Sequence, residues 1–254
     1  MFYIAILPHH FERSVSYRTM HTDMSNPETI VMSVGGSLIV PREIDITFLT
    51  NLKGFIDMET TTKGRRFIII AGGGRTARNY QEAAAAVSDL NANDLDWMGI
   101  HATRLNGHLL RTVFREYAHP VMITNPDEIL DVPSNIPVVI AAGYRPGSST
   151  DLRAVQIAEK IGATKVINLS NIDHVYTADP RVDANAQKIE SITWPDFRAL
   201  IPKEWDPGLS SPFDPIAAKV AERDNIEVAI INGDKLDEVV KYLDGETFTG
   251  TRIS

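Results

Sequence analysis

Phe67-Ile-Ile-Ile-Ala71-Gly-Gly-Gly74-Arg-Thr-Ala-Arg78 is the stretch from which the fold can be read. Five apolar residues form a run too short for a buried helix and suited to a strand covered on both faces. Three glycines end that run, and an alanine-rich helical pattern follows from about Thr76 to Ser88. A strand that stops at glycine and turns into a helix is half of a βαβ unit. The same grammar recurs upstream. Ile30–Val34 ends at Gly35-Gly36-Ser37, and Ile46, Leu49, Leu52, Phe55 and Ile56 then fall at helical spacing within Ile46–Met58. It recurs again downstream, where Pro137–Ala141 leads into Gly143-Tyr-Arg-Pro-Gly-Ser-Ser-Thr150 and a helix over Asp151–Ile161.

Outward from these units the alternation continues. Trp97–Ala118, Pro215–Arg223 and Leu236–Leu243 read as helices; Pro120–Thr124, Lys165–Leu169 and Glu227–Ile231 read as strands. The expectation is a three-layer α/β/α sandwich with a largely parallel central sheet. Residues 1–29 lack this order and carry no clear signal-peptide pattern. With Met20 and Met24 close to the start of the regular pattern, they read as a flexible N-terminal extension or as the product of an upstream start codon. Residues 30–254 are expected to form one domain, and the turn-rich stretch from Asn171 to Gln187 marks a border between two halves.

The 254 residues carry 25 Lys+Arg against 33 Asp+Glu, a formal charge of −8. That acidic balance argues against a general nucleic-acid binder. The absence of cysteine excludes disulfides and thiolate metal sites and suits a reducing cytoplasm. No apolar run reaches the roughly 18–20 residues of a membrane-spanning helix. His9, His10, His21, His101, His108 and His119 do not fall into a metal-ligand spacing, so no protein-held metal site is expected.

The chemistry is concentrated at the glycine-ended strands. Glycine lets a ligand approach the main chain, and the helix that follows offers free N–H groups and the positive end of its dipole. Phosphate is the natural ligand. Nothing matches G-x-x-x-x-G-K-[ST] or G-x-G-x-x-G, which separates the chain from P-loop and nicotinamide enzymes. Arg78 lies one helical turn past Gly74, within reach of a bound phosphate or of a surface carboxylate. Ser148, Ser149 and Thr150 supply hydroxyls, and Asp151 suits a helix cap, a sugar contact or a metal-bound water. Trp194 and Trp205, with Pro195, Pro202 and Pro207, frame a loop that either packs on the sheet or covers a ligand.

Five segments in order resemble the amino-acid-kinase superfamily, and within it the archaeal-type uridylate kinases. They are Val34-Gly-Gly-Ser-Leu38, Ala71-Gly-Gly-Gly-Arg-Thr-Ala-Arg78, Arg145-Pro-Gly-Ser-Ser-Thr-Asp151, Asn171-Ile-Asp-His-Val-Tyr-Thr-Ala-Asp-Pro180 and Asp214-Pro-Ile-Ala-Ala-Lys219. The resemblance implies transfer of the γ-phosphoryl of MgATP to UMP, with the acceptor over residues 30–164 and ATP over 165–254. It implies that Ser33, Val34, Gly35, Gly36, Ser37, Gly74 and Arg78 line the ATP phosphates near the transfer point. Ser170, Tyr176 and Asp179 are then expected to contact adenosine. Gly73, Asp96 and the loop Tyr144, Arg145, Pro146, Gly147, Ser148, Ser149 and Thr150 are expected to hold UMP. Lys219 is expected to face ATP, with Asp151 and Asp214 organising lysines, water and Mg²⁺. A homohexamer is also implied, with the helix after Asp96 building the subunit contact.

Three places depart from the superfamily pattern, one being Tyr144 and Arg145, which replace smaller or different residues near the acceptor phosphate. A lysine common before the first Gly-Gly is replaced here by the stretch Met32-Ser33-Val34, and His174 stands where Asn-x-Asp-Gly-Val-Tyr has its turn glycine. Two other readings stay open at this level. One is a kinase of the same fold acting on a small carboxylate, carbamate or isoprenoid phosphate; the other is a non-catalytic nucleotide-binding protein.

Overall fold

The computed structural model describes residues 28–204 and 211–254. The expected N-terminal extension therefore lies outside the described residues except for Glu28 and Thr29, as do Trp205 and Pro207. The chain runs β1 (Thr29–Val34), α1 (Gly36–Ile39), α2 (Ile46–Thr62), β2 (Arg66–Ala71), α3 (Gly74–Ala85), α4 (Ala92–Val113), β3 (Val138–Ala141), α5 (Thr150–Ile161) and β4 (Lys165–Ser170). It continues with β5 (Val175–Tyr176), β6 (Lys188–Ile189), β7 (Ser191–Ile192), α6 (Trp194–Leu200), α7 (Pro215–Arg223), β8 (Glu227–Asn232), α8 (Leu236–Leu243) and β9 (Thr251–Ile253).

The main sheet has the order β3-β2-β1-β4-β8-β9-β7, and β5 and β6 form a separate hairpin. Its first five strands are parallel; β9 enters antiparallel to β8 and pairs in parallel with β7. Alternation along each strand divides the core in two. Val31, Ile68, Ile70, Val139, Val166 and Ile230 face α5, α6 and α7. Ile30, Met32, Phe67, Ile69, Ile140 and Ile231 face α2, α4 and α8. Each fully buried Ile, Leu or Phe contributes about 1.5–3 kcal/mol of transfer energy, opposed by chain entropy. The three-layer sandwich expected from the alternation is thus the fold.

Strand order also positions the site. From β1 the chain moves to β2 and β3 on one side, then returns to β4 and continues to β8 on the other. β1 and β4 are parallel neighbours whose downstream segments leave toward opposite faces. In open parallel sheets such a reversal leaves a crevice at the carboxyl ends of the strands, where ligands bind.

Some expected elements differ. Pro120–Thr124 is not a strand: only single bridges, Ala118 to Val138 and Ile123 to Ala141, touch the sheet edge. Pro120 cannot donate to a ladder, and the segment bows out between its two contacts. The long helix starts at Ala92 rather than Trp97, because Asn91 and Asp94 form a capping box. Asp96 is therefore inside α4 rather than ahead of it. Trp194 opens a helix, not a loop, with Thr193 accepting from Asp196 N and proline in the first turn. It is core: the ring packs on Phe197 and Phe213, and Nε1 donates to Ile226 O.

Candidate active site

The glycine turns after β1 and β2 cross backbone against backbone. A Cβ on Gly36 would lie 2.0 Å from Gly74 N, and one on Gly72 would lie 2.3 Å from Gly36 N. Gly74 has φ +61°, a conformation that a side chain would strain. Asn106 on α4 locks the crossing, its Nδ2 donating to Gly72 O at 2.8 Å and to Gly73 O at 3.1 Å. The glycines thus bring two strand ends closer than any side chain permits, and α3 begins at that crossing with no side-chain cap.

A cleft of about 350 Å³ opens there, lined by Gly36, Ser37, Gly73, Gly74, Arg78, Asp96, Ser148, Ser149 and Thr150. Its far wall is the loop between β3 and α5. That loop is clasped to α4 by several bonds. Thr103 Oγ1 accepts from Gly143 N, Arg104 donates to Gly143 O and Tyr144 O, and Asp96 Oδ2 accepts from Gly147 N at 2.7 Å. Gly147 needs its glycine, with φ +80°. Ser149 caps α5 by accepting from Leu152 N. Tyr144, Arg145, Pro146 and Gly147 of that loop are not among the residues lining the cleft.

A second cleft, about 320 Å³, lies on the other side of the switch point. Ser170, His174, Tyr176, Asp179, Ile201 and Pro212 line it. Asp179 is paired with the neighbouring Arg181, which holds its carboxyl below the usual range. His174 is buried, with Nδ1 2.8 Å from Gly250 O. Among described non-glycine residues only Asn225 has positive φ, so His174 fills the family's glycine position without backbone strain.

Between the clefts sits Asp151. Ser33 of β1 and Asn168 of β4 are register partners, and both donate to Asp151 Oδ1, at 3.0 and 2.9 Å. Asp214 N donates to Oδ2 at 3.3 Å. Burial, reinforced by the negative Asp214, raises the Asp151 pKa to about 6 against those three donors. Asp214 caps α7 through Oδ1, accepting from Ile216 N and Ala217 N. Its Oδ2 is buried without a partner among the described residues. Gly35 N bonds Leu169 O, which ties the end of β1 to β4 beside Val34.

Lys219 lines neither cleft, but its groove adjoins the second one through Ile201. It is exposed on α7, with Nζ 3.4 Å from Lys203 O, in a groove with Arg198 and Pro202. Thr103, Arg104, Asn106, Asn168 and Arg153 belong to the site and were not picked out from the sequence. Asn168 had a visible signal, a polar residue inside an apolar strand, and Asn106 another, a polar residue on the stripe of α4 that faces the core.

The amino acid kinase family model matches residues 28–232. The chain belongs to that family. Among its relatives, the uridylate kinase of Hyperthermus butylicus is 34% identical over 219 residues, 85% of this chain and 94% of that protein. That of Pyrococcus abyssi is 34% identical over 205 residues, 80% of this chain and 89% of that protein. The crystal structure of a uridylate kinase from Archaeoglobus fulgidus, 28% identical, overlays on 89% of this amino acid kinase and 100% of that chain with TM-score 0.75. A UMP kinase structure from Bacillus anthracis, 18% identical and with TM-score 0.74, shares the fold.

Proposed function

We propose that this amino acid kinase is a nucleoside monophosphate kinase that transfers the γ-phosphoryl of ATP to UMP, giving UDP and ADP for pyrimidine nucleotide synthesis in the cytoplasm. The observation that carries it is the pair of clefts flanking one switch point, with the crossed glycine turns between them. UMP occupies the cleft of Asp96 and Ser148–Thr150, where Asp96 suits a ribose hydroxyl and the α5 N-terminus suits a phosphate. ATP occupies the cleft of Ser170, Tyr176 and Asp179, with its phosphates directed at Gly36, Ser37 and Gly74. The halves 30–164 and 165–254 then serve acceptor and donor respectively.

An oxygen of the UMP phosphate attacks the γ-phosphorus as the bond to the β,γ-bridging oxygen breaks, and ADP leaves with that electron pair. UMP phosphate is largely a dianion near pH 7, so no side chain has to remove a proton. The protein's work is to hold two anions in line and to meet the charge that spreads over the transferred group. Backbone N–H groups at the glycine turns and the Arg78 guanidinium serve that end. No cluster of three or more His, Cys, Asp or Glu able to hold a metal occurs among the described residues. The unpartnered Asp214 Oδ2 beside Asp151 nevertheless fits the hydration shell of Mg²⁺ arriving on ATP, and the ion when bound neutralises phosphate charge. Lys219 reaches ATP only by leaving its contact with Lys203.

A coupled assay for ADP with UMP, acetylglutamate, aspartate, carbamate and isopentenyl phosphate tests the acceptor. Turnover is expected with UMP well above the others; ATP binding without ADP release would instead mark a non-catalytic protein. Arg78→Ala is expected to lower kcat by about 10²–10³ with the fold intact, as for loss of one charge contact in a transition state. An unchanged rate would discredit this map of the site.

A further inference from the structure

Arg153 on α5 stands out among the charged residues behind the acceptor loop. It is 4% exposed, yet no carboxylate pairs with it among the described residues. Its polar contacts are neutral: Nη1 donates to Gln156 Oε1 and Nη2 to Ser148 Oγ, each at 2.5 Å. Among the described residues Nε is buried with no acceptor. The guanidinium stacks 5.3 Å from the centre of the Tyr144 ring, and Arg145 stands 5.7 Å from the same ring. Burial first, and then the positive Arg145, lower the Arg153 pKa to about 10, which leaves it charged at neutral pH.

A buried cation without a counter-ion is costly, and replacing such a group by an apolar one is commonly neutral or stabilising. What sets this one apart is its partner. Ser148 lines the acceptor cleft, and its hydroxyl also donates back to Arg145 O, closing the turn. The guanidinium therefore lies one hydrogen bond behind the cleft wall, at the loop that opens α5. The side chains of Thr103 and Arg104 hold the backbone at the start of that loop and Asp96 holds it at Gly147, while Arg153 holds the Ser148 hydroxyl.

We propose that Arg153 is a positioning residue of the acceptor site: it fixes Ser148 and Tyr144, and its uncompensated charge is balanced when the acceptor's phosphate dianion binds. This rests on the assignment of that cleft to the phosphorylated acceptor. It makes acceptor affinity depend on a side chain that does not touch the acceptor, and it sets function against stability at one position.

The test is Arg153→Met, Arg153→Lys, Ser148→Ala and the double variant Arg153→Met/Ser148→Ala, in the full-length protein. Arg153→Met is expected to raise the acceptor KM at least tenfold, to leave the ATP KM within twofold, and to keep or raise the Tm of the ligand-free protein. Arg153→Lys is expected to recover part of the acceptor affinity. Ser148→Ala is expected to add little in the Met background, since the two act through one bond. An acceptor KM within twofold of wild type overturns the proposal. So does a fall in Tm with both KM values rising together, which is the signature of mere packing. Wild-type turnover of UMP tests the reaction itself; the variant-to-wild-type ratio tests Arg153 and is read on whichever phosphorylated acceptor the wild-type protein uses.

Discussion

Asp151 is held by three hydrogen-bond donors, yet burial and the adjacent Asp214 raise its pKa from 3.8 to about 6. The sign for stability follows. Below about pH 4 the carboxyl is protonated both folded and unfolded. Between about 4 and 6 the unfolded chain loses its proton first, so stability falls as pH rises, and above about 6 the full cost is present. Asp151→Asn removes one of two neighbouring negative charges. Its Tm should exceed that of wild type at pH 7–8, with the advantage shrinking toward pH 4, while kcat falls; thermal melts across pH measure both limbs. A variant less stable than wild type at every pH would show that the lost acceptor bonds outweigh the relieved charge. His174 makes a second point at this scale. A glycine expected for its backbone freedom is replaced by a side chain that bonds Gly250 O, and the turn keeps negative φ.

Among the elements, β9, between β8 and β7 in the sheet, is tied to the cleft proposed here for ATP. Thr251 Oγ1 accepts from Val175 N at 2.8 Å and donates to Ile189 O, so one hydroxyl ties both strands of the β5–β6 hairpin to β9. Tyr176, next to Val175, lines that cleft. Thr251→Val preserves shape and removes the hydroxyl, leaving a buried N–H without its acceptor, a loss of about 1–3 kcal/mol. Chemical denaturation should register that loss, and steady-state kinetics should show a several-fold rise in the ATP KM with the UMP KM unchanged. Equal effects on both substrates would mean that the hairpin does not position the donor. β9 was not foreseen because three residues carry too little periodicity to read. The helices α7 and α8, with proline or an apolar stripe to mark them, were read with their observed limits, Pro215–Arg223 and Leu236–Leu243.

For the whole molecule, no helix among the described residues is long and apolar enough to cross a membrane. Three of the exposed large apolar residues gather along α3 and α4. Tyr80 on α3 is 64% exposed, and Trp97 and Leu105 on α4 are 39% and 61% exposed, around a groove that includes Met98 and His101. An apolar groove of that kind suits self-association, in line with the oligomer that the family resemblance implies. Light scattering is expected to give a multiple of 28.1 kDa, and Leu105→Glu to lower it. A wild-type protein of monomer mass would overturn the expectation.

The residue pattern by itself determined the alternation of strands and helices, the parallel sheet and the glycine turns, because hydrophobic period and backbone freedom are local properties. Tertiary structure alone decided which polar groups meet. Ser33, Asn168 and Asp214 converge on Asp151 from strands and helices as far as 118 residues apart in the chain. Asn106 reaches the carbonyls of Gly72 and Gly73 from α4, more than 30 residues along the chain. Lys219, which the family resemblance sets beside the ATP phosphates, rests here with Nζ near Lys203 O in a groove adjoining the second cleft through Ile201. A motif specifies local geometry, whereas the direction in which a side chain points is settled by what packs around it.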